Sequence, residues 1–447
     1  MVSGTSAAPA STTSASGPLA RRFAGGVAWN FVATVSMQGS TFLANLLLAN
    51  LLGAPAFGRY ALTLGTLQAI GGVAGLGLGT AATRFVAEWR TSDRERAGRF
   101  IGLCRAIAWI AALVAAGLLL VSADALSGRV LQTVEVAPML RVGAIPAIAI
   151  VLSSVHAGAL AGLEQYAALG RAALASGVAY VGGVVLGGWA GGANGAVIGL
   201  AASGVVQVLL LDAALRRAMR TLQLPVVRAE VGRERDILLH WVLPNLIGGL
   251  TSVPALWALQ AILANRVGTT VVGFYTAAVN LMTVVLVLPN VAVSVGMALL
   301  SHSQGGVDAS ARRAVLQWNL LFTSVATAGG ALVVGLAGGW LLTRYGRDFE
   351  SALPALRILL GAAVIEGLGT VANQLVQSRR RVWLALGLIN LPRDLAFPLL
   401  AWWFTPRYGV TGAAMAYAGG RSIGFVGTLL CAWLSAPRAT AVAEPCR

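Results

Sequence analysis

The sequence contains no lysine, and all 32 of its basic residues are arginine. Charge of either sign is scarce: 11% of the 447 residues are charged, against about 25% in a soluble globular chain. A chain so poor in charge cannot keep most of its surface in water, which excludes a soluble enzyme or binding domain. Cysteine is scarce too. Cys104, Cys431 and Cys446 are odd in number and have neither disulfide nor metal-ligand spacing. Cys104 and Cys431 read as small buried hydrophobes. The loops hold no Ser/His/Asp constellation, metal cluster or phosphate-cradling loop, so no catalytic residue, metal or cofactor is expected. "GLGLG" at 75–79 sits inside an apolar helix and not after a strand, so it is no dinucleotide loop. Its small residues allow close packing or a bend.

What is abundant is apolar side chain, 57% of the residues. It comes in runs of about 20 residues, each long enough to cross a ~30 Å hydrocarbon layer as a helix. The runs do not alternate as barrel strands would, so the predicted fold is all-α and integral to the membrane. Twelve spans are expected, at 24–51, 58–85, 100–122, 139–162, 172–190, 193–215, 238–264, 273–300, 315–342, 353–377, 383–403 and 409–434. The net charge of +16 would suit nucleic acid. The arginines, however, lie in short loops between spans and form no basic domain, which is the positive-inside pattern; no nucleic-acid partner is expected. One side collects Arg21 and Arg22, the run "EWRTSDRERAGR" at 88–99, the segment 216–236, Arg312, Arg313 and "RRR" at 379–381. That side is predicted to be cytoplasmic and to hold both termini. The other has short loops with scattered Arg59, Arg129, Arg266 and Arg407. Residues 1–20, rich in Ser, Ala, Thr and Pro, are predicted to be disordered. The apolar run after Arg22 is too long for a cleaved signal and reads as a first span.

The chain repeats itself. "LLLANLLGAPAFGRYAL" at 46–62 is answered by "AILANRVGTTVVGFYTA" at 261–277, pairing Asn50 with Asn265, Gly53 with Gly268, Gly58 with Gly273 and Tyr60 with Tyr275, each 215 positions apart. Asn30 pairs with Asn245 and Asn45 with Gln260 at the same offset. Near the ends of the halves, "GGANGAVIGLAA" at 191–202 matches "YGVTGAAMAYAG" at 408–419. The expected organisation is a first lobe over 21–215, a basic linker over 216–237, a second lobe over 238–434 and a cytoplasmic tail over 435–447. Six spans per lobe give both the same orientation, hence a parallel pseudo-two-fold repeat. Gly53 and Gly268 are read as helix stops with positive φ, and Tyr60 and Tyr275 as residues of the outer interface.

"NLLLANLLGAPAFGRYAL" followed by "GLGLGTAATRFVAEWR" (75–90) resembles the first two helices of bacterial polysaccharide flippases. That branch of the MOP superfamily stands beside the drug-exporting MATE proteins and the lipid II flippases. The pattern is carried by Leu52, Gly53, Phe57, Gly58 and Tyr60, and the Gly-x-x-Gly-Ala helix starts by Gly192, Gly195, Ala196 and by Gly409, Gly412, Ala413. The Arg-Asp of the lipid II branch is absent from "GAPAFGRY". The resemblance covers nearly all of 21–434. It implies a two-lobed transporter of the bacterial cytoplasmic membrane, working by alternating access. Its implied substrate is an undecaprenyl-diphosphate-linked oligosaccharide for cell-surface glycan; its implied partners are membrane lipids and glycan-assembly proteins.

Ionisable residues inside spans are costly and mark function. Glu366, Arg393, Asp394 and Arg421 fall mid-span in the tenth, eleventh and twelfth helices. They can form a neutral cluster that ties those helices together, or an arginine can meet the substrate diphosphate with its planar fork. Both readings stand, and Glu366 and Asp394 can alternatively couple transport to an ion. Arg84 and Arg105 lie nearer the cytoplasmic face and can snorkel to it; Arg84, on the second helix, can also receive the pyrophosphate. His156 reads as a hydrogen-bonded packing residue. Asn30, Gln38, Asn45, Asn245 and Gln260 offer neutral amides to sugar hydroxyls, or act as glue between helices. A MATE-like drug antiporter would want central acids in the first lobe, and its spans carry none. A membrane polymerase or glycosyltransferase would want a large outer loop with catalytic groups; these loops are short, with Asp124, Glu135, Asp348 and Glu350 scattered.

Overall fold

The computed structural model describes residues 16–75, 77–224, 243–302, 309–378 and 382–434. Most of the expected disordered segment, the end of the linker, Arg379–Arg381 and the tail lie outside these residues. So do the side chains of Arg312 and Arg313. Among the described residues the chain is helical, with no strand. In order come α1 (Ser16–Ala74), α2 (Leu78–Ser92), α3 (Arg94–Ala125), α4 (Ala137–Val142), α5 (Ala144–Gly162), α6 (Tyr166–Thr221), α7 (Leu243–Val267), α8 (Thr269–His302), α9 (Ala309–Thr343), α10 (Leu353–Ser378), α11 (Val382–Ala385) and α12 (Leu391–Leu434). Seven described helical stretches are long and apolar enough to cross a membrane, so the protein is a multi-pass membrane protein. Two differences from the expected boundaries have simple causes. The first helix starts at Ser16, ahead of Arg21, and α6 runs through Arg216, Arg217 and Arg220 to Thr221. Arginine is a good helix former, so the helices continue past the apolar runs.

Glycine makes the sharp turns. The 59-residue α1 contains a break at Gly53 (φ 72°, ψ 170°), and the 56-residue α6 breaks at Gly191 and Gly192. Helix α12 breaks at Gly409 (φ 55°), the repeat counterpart of Gly192. At 1.5 Å per residue an unbroken α6 would be roughly 84 Å long, more than twice a hydrocarbon thickness; instead its limbs fold back on each other, with Gly187 against Gly195. Gly268 has φ 111° between α7 and α8. Positive φ at both duplicated glycines agrees with the sequence, although Gly53 has an extended ψ and not the left-handed helical value. A further break falls at Gly77 (φ 65°), within "GLGLG", separating α1 from α2.

The two halves of the chain meet where the duplicated turns lie. Helix α1 packs on α7 and α8, and the contacts are reciprocal. Asn50 Nδ2 donates to the Arg344 carbonyl at 3.2 Å, and Asn265 Nδ2 donates to the Val130 carbonyl at 3.0 Å. The first asparagine therefore satisfies a carbonyl after α9, and its counterpart one after α3. Gly58 and Gly273 face each other. A Cβ on Gly58 would stand 1.8 Å from the Thr269 carbonyl oxygen and 3.0 Å from the Gly273 nitrogen; one on Gly273 would stand 2.6 Å from the Ala54 carbonyl oxygen. Around them Phe57, Phe349 and Tyr345 are almost wholly buried, with Phe349 5.4 Å from Phe274 and 6.0 Å from Phe57 between ring centroids. Packing of this kind matters in a bilayer, where lipid is as apolar as leucine and helices gain little by mere burial. Tyr60 and Tyr275 do not lie at the water interface: both are buried, and the Tyr60 hydroxyl lies 3.3 Å from that of Tyr180 on α6. Trp402 and Trp403 are among the aromatics that stay exposed, under Arg266 and Arg407 at 3.7 and 4.1 Å, an arrangement suited to a membrane interface.

Each asparagine bond is worth about 0.6 kcal/mol by comparison with interhelical bonds in membrane proteins. Asn50→Ala and Asn265→Ala are therefore each expected to loosen this end of the seam by about threefold in population. The double variant should add the two, because the sites are separate. Labelling of a cysteine placed at Phe349 from the adjacent aqueous face measures it. Unchanged labelling in the double variant would remove the asparagines from any closing role.

Candidate functional site

The mid-span charges of the second half are brought together as two neutral pairs. In one, Arg393 Nε donates to Asp394 Oδ1 at 2.8 Å, and Ser252 of α7 closes a triangle. Its hydroxyl donates to Asp394 Oδ2 at 2.7 Å and accepts from Arg393 Nη2 at 2.8 Å. Asp394 is buried, and the Arg393 stem runs along Gly424, where a Cβ would lie 3.0 Å from Arg393 Cδ. In the other pair Arg421 Nη2 lies 2.9 Å from Glu366 Oε1. The Tyr417 hydroxyl joins them, donating to Glu366 Oε2 at 2.8 Å and accepting from Arg421 Nη2 at 2.8 Å. Tyr417 also stacks on Phe397 at 5.6 Å. Three elements, α7, α10 and α12, are tied by these groups, so the cluster read from the sequence exists as two units. Each has a hydroxyl that the sequence reading missed. Ser252 and Tyr417 carry no charge, and a lone hydroxyl in an apolar span gives no signal until its partner is known. The Arg421 and Glu366 side chains remain 20% exposed and Arg393 19%, so the pairs are not sealed.

The amides occupy the seam. Asn45 is buried and its Nδ2 donates to Asn280 Oδ1 of α8 at 3.3 Å; Asn45 Oδ1 has no hydrogen-bond partner among the described residues. Its counterpart Gln260 lies against Gly65, where a Cβ would stand 2.3 Å from the amide oxygen. Gly65 and Asn280 are themselves 215 positions apart, so these contacts are reciprocal too. Trp257 Nε1 donates to Thr66 Oγ1 at 3.0 Å beside them. Gln38 is half-buried in the first limb of α1. Asn30 and Asn245 fall on α1 and α7, but their side chains lie outside the described residues. Arg84 is exposed on α2, its guanidinium 5.7 Å from the Phe85 ring centroid.

The first half holds a polar unit that the sequence reading left unassembled. Arg105 does not merely snorkel; its Nη2 donates to Asp212 Oδ1 of α6 at 2.8 Å, and Arg216 Nη2 reaches Asp212 Oδ2 at 2.5 Å. Asp212, in "LLLDAAL", sits near the end of its span and was the available signal. His156 is buried beside it, with Nε2 3.6 Å from Asp212 Oδ1. Neither ring nitrogen is hydrogen-bonded among the described residues, so His156 is a packing residue without the expected bond.

Residues 23–299 match the family described as polysaccharide biosynthesis protein. The chain belongs to that family. No curated protein sequence matches this polysaccharide biosynthesis protein, but solved structures share its fold. A multidrug resistance MATE family transporter of the MOP superfamily, in an inward-facing conformation, aligns with TM-score 0.74 and 17% identity over 90% of this chain and 98% of its own. The lipid II flippase MurJ, inward closed, aligns with TM-score 0.71 and 14% identity over 89% of this chain and 86% of its own. A MOP superfamily transporter from Pyrococcus furiosus, whose binding pocket is described as having reverse polarity, aligns with TM-score 0.65 and 17% identity over 92% and 95%. The family member described here therefore has the MOP superfamily fold.

Proposed function

We propose that the protein flips an undecaprenyl-diphosphate-linked oligosaccharide across the bacterial cytoplasmic membrane by alternating access between two six-helix lobes. Family membership over residues 23–299 carries the proposal. The breaks at Gly53, Gly191–Gly192 and Gly409 support twelve crossings, since each divides one long helix into two. The reciprocal seam supports two lobes in the same orientation. The arginine-rich stretches support a cytoplasmic location for both termini. In this reading the seam at Gly58 and Gly273 closes the outer side, and substrate enters from the other. Arg421 and Arg393 offer guanidinium groups to the diphosphate, exchanging a carboxylate partner for a phosphate one. Arg84 meets the diphosphate at entry, and Asn30, Gln38, Asn45, Asn245 and Gln260 meet the sugars. Glu366 and Asp394 hold the arginines in place, or couple the cycle to an ion.

A drug antiporter is the second reading, favoured by the likeness to the MATE transporter. Glu366 would be its cation-binding group, but it is already engaged by Arg421 and Tyr417, which counts against it. The test is flipping of lipid-linked oligosaccharide by the full chain in vesicles. Arg393→Gln and Arg421→Gln are each expected to cut the rate per reconstituted molecule at least about tenfold, one charge-assisted contact. Full rates in both would remove the arginines from the substrate site, and transport of cationic dyes without oligosaccharide would favour the antiporter.

A further inference from the structure

The hairpin made by α6 carries a groove away from the seam between the halves. Its two limbs touch near the turn, where Gly187 meets Gly195 and Gly183 meets Gly199. Farther from the turn they leave a groove of about 460 Å³. Its floor is Ala172, Ala175, Leu210, Ala213 and Ala214, mostly side chains too short to fill the space between diverging helices. Its mouth is polar, with Arg171 on one limb and Arg217 on the other, flanked by Gln165 and Thr221. The rise per residue places Arg171 roughly 30 Å and Arg217 roughly 38 Å from the Gly191–Gly192 turn. That is one hydrocarbon thickness away, at the opposite headgroup layer. Val178 and Leu209, farther along the two limbs, are exposed. Helix α6 packs on α1, α4 and α5 of the first half, so the groove lies away from the seam.

Among the described residues the charges at the mouth have no carboxylate of their own. Asp212 is taken by Arg105 and Arg216, and Glu164 by Arg90. Arg171 Nε donates to the Ala167 carbonyl at 3.1 Å, which leaves its terminal nitrogens. Among the described residues neither Arg171 nor Arg217 forms an ion pair. We propose that this groove binds an anionic phospholipid of the bilayer, its phosphate between Arg171 and Arg217 and an acyl chain along the alanine floor. Basic pockets between helices at the headgroup level suit such lipids, and two guanidinium forks suit phosphate oxygens. The position off the seam favours a resident lipid over transported cargo. The inference needs the membrane fold, not the assignment of the cargo.

The test uses the full chain in nanodiscs of phosphatidylcholine with a minority of phosphatidylglycerol, with bound lipid read by native mass spectrometry. Wild type should retain phosphatidylglycerol. Arg171→Gln/Arg217→Gln should lower its occupancy at least about tenfold, the equivalent of one strong phosphate contact. Ala175→Leu, which fills the floor and keeps every charge, should lower it as well. Arg94→Gln, an exposed arginine outside the groove, should not. Undiminished lipid in both groove variants would overturn the proposal. An equal loss in Arg94→Gln would reduce it to general charge attraction. Displacement of phosphatidylglycerol by undecaprenyl diphosphate, dependent on Arg171 and Arg217, would overturn it by giving the groove to the cargo. Flipping is not measured, so failure here and failure of the transport proposal are separate results.

Discussion

Gly58→Leu is expected to abolish oligosaccharide flipping while Gly39→Ala, in the other limb of α1, leaves it intact. The reason is geometric. The nearest atoms to a Cβ on Gly58 are the Thr269 carbonyl oxygen at 1.8 Å, its carbon at 2.7 Å and the Gly273 nitrogen at 3.0 Å. All belong to backbone, so no side chain can turn aside and the helices themselves must separate. Thr269 opens α8 directly after the turn at Gly268, so separation there parts the two halves where their reciprocal bonds lie. Asn50 and Asn265 would lose their carbonyl partners, and Phe57 would lift from Phe349. Gly39, in the same helix, has open space around the Cβ position, and alanine there gains helix propensity, about 1 kcal/mol at most. A chain that folds but cannot close one side cannot alternate. Flipping rate, with protein level and melting temperature alongside, measures the outcome. Wild-type flipping by Gly58→Leu would show that the close approach is dispensable. Gly273→Leu should repeat the defect more mildly, since its nearest atom is the Ala54 carbonyl oxygen at 2.6 Å.

The duplication was legible because it is written in residue identity. Asn50, Gly53, Gly58 and their counterparts recur at one offset, and the structure uses each pair in matching ways. The membrane class was legible from charge scarcity alone, and the helix breaks at Gly53, Gly192 and Gly409 from glycine at span ends. What the sequence concealed was partnership between distant helices. A tyrosine near a span end fits an interface by statistics, yet Tyr60 and Tyr275 are buried, Tyr60 against Phe57 and Tyr180 of its own half. Asp212 is not singled out by the sequence, because its partners, Arg105 and Arg216, lie on a distant helix and one turn onward. At the candidate site the charged residues were visible as costly exceptions in apolar spans. Their grouping into two pairs was not, since it depends on Ser252 and Tyr417, hydroxyls whose role exists only in three dimensions.

Arg421→Ala is expected to cause a large loss of stability, and its rescue separates structure from transport. Removing the guanidinium leaves the Glu366 carboxylate within the bilayer with the Tyr417 hydroxyl as its remaining partner. Breaking a buried pair in this way costs about 3–5 kcal/mol, because an uncompensated charge remains. The 20% exposure of both side chains lets water relieve part of it, so the lower end applies. Glu366→Gln/Arg421→Gln removes both charges together and leaves amides that can still bond Tyr417, so protein level and melting temperature should recover towards wild type. Flipping should not recover, because a neutral glutamine cannot replace the guanidinium fork against a diphosphate. The same logic gives Arg393→Gln/Asp394→Asn as a parallel double variant, with Ser252 in the place of Tyr417. A double variant that regains both stability and flipping would mean that the Arg421–Glu366 pair only ties α10 to α12. The diphosphate would then have to be met by other residues.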